Sequence, residues 1–246
     1  MEAGVFLALN ETTQPDLITQ AARAIEERGF HAIWVPEHVV LFEDYESKYP
    51  YSADGRIGGY GKGMMEPFTA LTYLAAHTST VRLGTAICLI TQRNPVYTAK
   101  QVADLDFLSG GRVNLGIGLG WLQEEFKALG VPFEKRGKRA NEHIEVMKAL
   151  WCEETLSYQG ELYELPDCVM YPKPVQAPHP PIFVGGEGDH SLRRAADLCQ
   201  GWLGASVEPE AMAERITTLH GMLSDRGRAK DEVKIYTLPN QRPDAD

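Results

Sequence analysis

The sequence predicts an α/β protein whose parallel strands close toward a (β/α)8 barrel, and three observations carry that expectation. Short apolar runs bounded by turn residues recur along the chain: Val5 to Leu9, Ala32 to Val35, Val81 to Ile87, Val113 to Leu119, Pro181 to Val184 and Trp202 to Leu203. Most are followed by an amphipathic helical stretch, the crossover that parallel neighbours require. No Ser/Gly/Pro-rich linker or low-complexity segment interrupts the 246 residues, so a single domain spans 1–246. In such a barrel chemistry sits at the C-terminal ends of the strands, so the residues just after each run are the ones to inspect.

Taken in order, the first helix places Leu17, Ala21 and Ile25 on one stripe, with Pro15 near its start and Gly29 stopping it in a left-handed conformation. The second strand ends at Pro36 and leads into Glu37-His38. From there to Gly63 the chain is rich in Tyr, Gly and Asp and shows no period, too long for a mere connection. Pro67 opens the next helix. Asn94-Pro95 caps the one after the third strand, with Val96, Ala99, Ala103 and Phe107 on one face and Gly110-Gly111 ending it. Val113, Leu115, Ile117 and Leu119 alternate with Asn114, Gly116, Gly118 and Gly120, leaving one strand face nearly bare. Something must pack closely there: barrel side chains or a flat aromatic ligand.

Further on, Ala140, Ile144, Met147 and Trp151 form a helical stripe, and a hairpin turns at Gln159-Gly160. A helix from about Ser191 follows, then one carrying Met212, Ile216, Leu219 and Leu223, and a seventh strand from Val233 to Leu238. Only Pro239 to Asp246 remain, polar and Pro-containing, so the barrel is expected to stop before its eighth strand.

A net charge of −10 argues against a nucleic-acid surface and favours a small-molecule ligand. The absence of a basic leader and of any apolar run of membrane-spanning length points to a cytoplasmic protein without membrane contact. Four widely spaced cysteines and no His-x-x-x-His pair disfavour a metal site.

Gly116-Ile-Gly118-Leu-Gly120-Trp121 lacks the third glycine of a dinucleotide fingerprint, because Trp121 stands at that position. Gly185-Gly186-Glu187-Gly188 sits between a strand and a helix for which Asp189 is a candidate N-cap. Free N–H groups there suit a phosphate, although ordinary tight turns use the same residues. Glu37-His38 stands at a strand end, where a histidine can bind a ring or relay a proton. The basic run Lys135 to Arg139 reads as a solvated helix start or a weak anchor for an anionic tail. No activated-serine motif and no nucleotide-triphosphate loop are present.

Several segments together resemble the luciferase-like monooxygenase superfamily: Gly29-Phe30 with Ala32-Ile-Trp-Val-Pro-Glu-His38, Val81-Arg-Leu-Gly-Thr-Ala86, Arg93-Asn-Pro95, Leu108-Ser-Gly-Gly-Arg112, Gly116 through Trp121, Glu124-Glu125-Phe126 and Pro181-Ile-Phe-Val-Gly-Gly186. The resemblance implies a flavin- or deazaflavin-dependent TIM barrel of the bacterial luciferase-like type. Gly120-Trp-Leu-x-Glu-Glu-Phe with Arg136-Gly-x-Arg139 is most similar to the branch that uses the 8-hydroxy-5-deazaflavin coenzyme F420, with FMN as the alternative.

By the same resemblance, the cofactor ring lies across the barrel mouth near Glu37, His38 and Trp121. A non-prolyl cis peptide between Thr85 and Ala86 bulges toward it, and Ile87 flanks it. Glu124 and Gly185, Gly186, Glu187 and Gly188 contact the cofactor's side chain and phosphate. Relatives that oxidise sugar phosphates carry a Glu where this chain has Trp121, a departure that argues against that activity. The expected function is hydride transfer with a small organic substrate, His38 being catalytic and the segment from Leu41 to Gly63 a lid. An FMN-dependent monooxygenase and a non-catalytic cofactor-binding protein are the alternatives. A homodimer is expected from an uncovered sheet edge.

Overall fold

The structure is a computed structural model that describes residues 2–59, 61–205 and 208–238. Seven strands run parallel in one curled sheet: β1 (Gly4–Phe6), β2 (Ala32–Val35), β3 (Arg82–Thr85), β5 (Val113–Gly118), β8 (Ile182–Gly185), β9 (Gly201–Ala205) and β10 (Lys234–Leu238), neighbours in that order. The two-residue β4 (Cys88–Leu89) continues beyond a break in β3 and pairs with β5. The helices are α1 (Pro15–Glu27), α2 (Pro67–Ala76), α3 (Pro95–Ser109), α4 (Gln123–Ala128), α5 (Arg136–Cys152), α6 (Asp189–Leu198) and α7 (Pro209–Ser224). An antiparallel hairpin, β6 (Leu156–Gln159) with β7 (Glu164–Cys168), projects after α5, turning at Gly160 as expected. This is the parallel β/α barrel arrangement that the sequence predicts, and among the described residues the strand path ends at β10. The segment from Pro239 onward lies outside them.

Local chemistry accounts for the boundaries. The Asn94 side chain accepts hydrogen bonds from Val96 and Tyr97 N–H at 2.9 and 3.2 Å, satisfying donors that the first turn of α3 leaves free. Gly110 ends the same helix at φ 69°, a conformation that costs residues with a Cβ. Two helical stripes match the sequence reading in part: Ile25, Ala99 and Ala103 are buried as expected, whereas Leu17 and Phe107 are not. On α1 the buried positions are Ile18, Ala22 and Ile25, and Leu17 is exposed. On α3, Ala99, Val102, Ala103 and Leu105 are buried and Phe107 faces out. In both helices apolar residues stand next to each other, so a 3.6 repeat fits either phase.

The barrel interior is shared between a few large side chains and several glycines. Trp34, Phe183 and Tyr236, from β2, β8 and β10, pack ring against ring with centroids 5.4 to 5.8 Å apart. Contacts of this kind add about 0.5–1.5 kcal/mol each beyond area burial. A Cβ on Gly84 would overlap the Trp34 ring, and one on Gly201 would overlap Phe183. The Tyr236 hydroxyl donates to Glu2 at 2.6 Å, which brings the two ends of the sheet together. Among the described residues no helix is long and apolar enough to cross a membrane.

Candidate active site

Strand β2 delivers Glu37 and His38 to the mouth of the barrel, and both are buried. Glu37 is bound on all sides by protein. Its Oε2 accepts from Leu89 N–H at 2.6 Å, and its Oε1 pairs with Arg93, which also meets Glu66 at 2.7 Å. The side chain expected to shape a cofactor cavity thus holds β4 against β2.

His38 is 7% exposed and sits between two partners. Its Nδ1 lies 2.9 Å from Glu125 Oε2, and its Nε2 lies 3.3 Å from the indole nitrogen of Trp121. Glu125, fully buried on α4, also accepts from Gln92 Nε2 at 3.0 Å and from Val39 and Val40 N–H at 2.7 and 3.3 Å. Burial pushes its carboxyl up, but the hydrogen bonds from His38, Gln92 and Val40 outweigh it and hold the group below the ordinary carboxylate range. Sequence reasoning quoted Glu125 only within the Glu124-Glu125-Phe126 motif, without a role, and did not name Gln92. Only the packing separates the two adjacent glutamates.

The described residues between His38 and Glu66 form no helix or strand, and part of this segment packs over the mouth. Tyr45 and Tyr49 pack on Trp121 with centroids 5.7 and 5.2 Å away, and Tyr51 packs on Tyr49. This lid is pinned by two carboxylates that sequence reasoning assigned to a cofactor. Glu124 accepts from Glu46 N–H and from the Ser47 hydroxyl, both at 2.7 Å. Burial is the largest single effect and pushes its carboxyl up, but the hydrogen bonds from Ser47 and Glu46 together outweigh it and hold the group down at about 2. Glu187 accepts from the Tyr51 hydroxyl at 3.1 Å and from Ala205 N–H at 2.7 Å.

At the end of β3 the non-prolyl cis peptide joins Ala86 and Ile87, one bond later than the sequence reading placed it. The Thr85 hydroxyl is buried and donates to Gly116 O at 2.6 Å. The bare face of β5 is filled by protein: the Thr85 carbonyl and Leu203 occupy the space a Cβ on Gly116 would need, and Ile87 occupies that of Gly118. No ring can therefore lie against those glycines. Ala86, Ile87, Leu119, Gly120, Trp121, Gly185 and Gly186 form a partly exposed strip along the strand ends.

The turn from β8 into α6 is built for close approach of backbone. Gly186 has φ 105°, a conformation open to glycine, and its carbonyl accepts from Trp202 Nε1 at 2.9 Å. The N-cap of α6 is Gly188, not Asp189, because Asp189 already lies in the first turn and pairs with Arg215 at 2.7 Å. No side chain caps this helix, and a Cβ on Gly188 would meet nothing within 4 Å. A flavin-type coenzyme fits these features, with open backbone at Gly188 for an anionic arm and the Ala86–Ile87 strip for a ring. The basic run opens α5, where Lys135 and Lys138 both pair with Glu161.

A parallel barrel with a histidine-centred network and an uncapped glycine turn at its strand ends has the layout of a β/α-barrel protein whose site lies at the C-terminal ends of its strands. The chain belongs to the luciferase-like monooxygenase family, whose model matches residues 1–239. It is 34% identical over 219 residues to an uncharacterised protein of Mycobacterium tuberculosis, covering 88% of this chain and 75% of that one. It is 30% identical over 237 residues to the F420-dependent glucose-6-phosphate dehydrogenase of Kineococcus radiotolerans, covering 93% and 64%. It is 35% identical over 144 residues to the FMNH2-dependent dimethylsulfone monooxygenase of Pseudomonas putida, covering 57% and 38%. The chain thus spans less than two thirds of the length of the latter two. Among solved structures, it superimposes on monooxygenase RslO1 from Streptomyces bottropensis with TM-score 0.77 and 26% identity, covering 96% and 70%.

Proposed function

We propose that this protein is an oxidoreductase that moves hydride between the deazaflavin coenzyme F420 and a small organic substrate. The observation that carries the reading is His38, buried at the end of β2, with one ring nitrogen on Glu125 and the other directed at Trp121 beneath the lid. F420 is favoured over FMN because the similarity to an F420-dependent dehydrogenase runs through 93% of the chain. When bound, the coenzyme supplies a two-electron hydride donor or acceptor.

The chain's own residues supply placement and proton handling. The turn Gly185 to Gly188 holds the anionic arm with backbone N–H groups, and Ala86 and Ile87 support the ring. His38 takes up or returns the proton that accompanies hydride movement. Trp121, Tyr45 and Tyr49 wall the substrate side and exclude water. That aromatic wall suits an apolar or planar substrate, and the Arg56 guanidinium stacks over the Tyr45 ring, 4.4 Å from its centroid.

Fluorescence titration of one preparation with F420 and with FMN tests the assignment. The expected result is micromolar or tighter F420 binding, with His38→Ala retaining the coenzyme while losing hydride exchange across a broad substrate panel. FMN-dependent monooxygenation is the second reading, favoured by the dimethylsulfone monooxygenase relative. Tight FMN retention with no F420 affinity selects it and overturns the first.

A further inference from the structure

We propose that Glu125 is a positioning residue that keeps the His38 proton on Nδ1 and leaves Nε2 as the ring's proton-accepting atom. Four groups converge on the Glu125 carboxylate: Val39 and Val40 N–H on Oε1, and His38 Nδ1 and Gln92 Nε2 on Oε2. The two backbone groups can only donate, and the Gln92 amide is turned so that its NH2 donates as well. That orientation leaves Gln92 Oε1 buried without a partner among the described residues. A buried acceptor is sacrificed in this way opposite an anion, not opposite a carboxylic acid that could itself donate.

An ionised carboxylate accepts only, so the His38 Nδ1 facing it must carry the proton. On the other side of the ring stands an indole, which donates only, 3.3 Å from Nε2. Both neighbours therefore specify the same tautomer. The nearby charged groups are satisfied elsewhere: Arg93 pairs with Glu37 and Glu66, and Glu124 faces the lid. The indole bond is long, and a substrate donor replaces it on entry. A proton taken at Nε2 then yields an imidazolium whose charge is balanced by Glu125. The consequence for turnover rests on the proposed function, but the tautomer does not.

The test is 15N NMR of the apoprotein labelled at histidine, at about pH 8, above the ordinary imidazole range, with His38 assigned from the spectrum of His38→Asn. The expected wild-type spectrum has a proton-bearing Nδ1 and an imine-type Nε2. In Glu125→Gln one acceptor oxygen must serve where two stood, and the amide NH2 turned toward the ring moves the proton to Nε2, so the two signals exchange character. In Trp121→Phe the Nδ1–H form persists, because Glu125 still holds it. A wild-type ring protonated on Nε2, an unchanged tautomer in Glu125→Gln, or an exchange in Trp121→Phe overturns the proposal. If Glu125→Gln does not fold, the other two spectra still decide. If neither F420 nor FMN binds, the proposed function fails while the tautomer result stands.

Discussion

The Tyr51 hydroxyl reaches Glu187 at 3.1 Å, so a loop that leaves β2 is fastened to the turn that leaves β8. Burial and the neighbouring carboxylate push the phenol's ionisation upward, which keeps it a donor. Tyr51→Phe removes a hydrogen bond to a charged acceptor, worth about 1.5–3 kcal/mol locally. Amide exchange across residues 41–59 should accelerate by roughly tenfold or more, while exchange in β5 and β8 stays unchanged. Equal exchange in the two proteins would show that the lid is held by its aromatic packing alone.

Acid should loosen two anchors together. Glu26 accepts from Ser79, Thr80 and Val81 N–H, and Glu124 from Glu46 and Ser47. Both carboxyls are held at about 2, below the ordinary 4.5. Groups depressed on folding contribute fully above the unfolded value, and that contribution is lost as pH falls through the folded one. Trp121, packed on Tyr45 and Tyr49, should report the lid's release by a change in fluorescence between about pH 4.5 and 2. Glu124→Gln should flatten that change.

Breaking the Glu37–Arg93–Glu66 bracket should cost more than any surface ion pair, because Glu37 is 4% exposed. Glu37→Gln leaves a guanidinium half-satisfied in a buried setting, an effect of about 3–5 kcal/mol. Urea unfolding checks it, with the midpoint expected to fall at constant m-value. Glu66→Gln, at a partly exposed partner, should cost distinctly less.

Gly84→Ala places a methyl group inside the Trp34 ring position, and overpacking of this kind costs about 1–3 kcal/mol. Combining it with Trp34→Phe should restore part of the loss, so that a double-mutant cycle gives a non-zero coupling. Strict additivity would mean that the backbone, not the ring, absorbs the added carbon.

The barrel was legible because parallel strands buried on both sides leave apolar runs, and each run from Val5 to Val233 lies on or beside an observed strand. Caps were legible for the same local reason: Asn94 and Gly110 act through groups one to four residues away. What escaped depended on non-local packing. Gly116 and Gly118 signal an approach, but only the fold shows that Thr85, Leu203 and Ile87 make it. Glu124 and Glu125 are chemically identical neighbours that helical geometry sends to opposite duties, one to the lid and one beneath it. His38 was found by strand-end position, whereas its partner lies 87 residues away.

Val39 and Val40, whose N–H groups rest on Glu125, are the first residues of the lid. Lid and imidazole consequently hang from one hinge: a swing that lifts Val39 off the carboxylate takes a donor from the group on which His38 rests. Outward movement of the segment and displacement of the carboxylate beside His38 then become a single event, and a variant engineered for a wider entrance will carry a shifted imidazole whether or not one was sought.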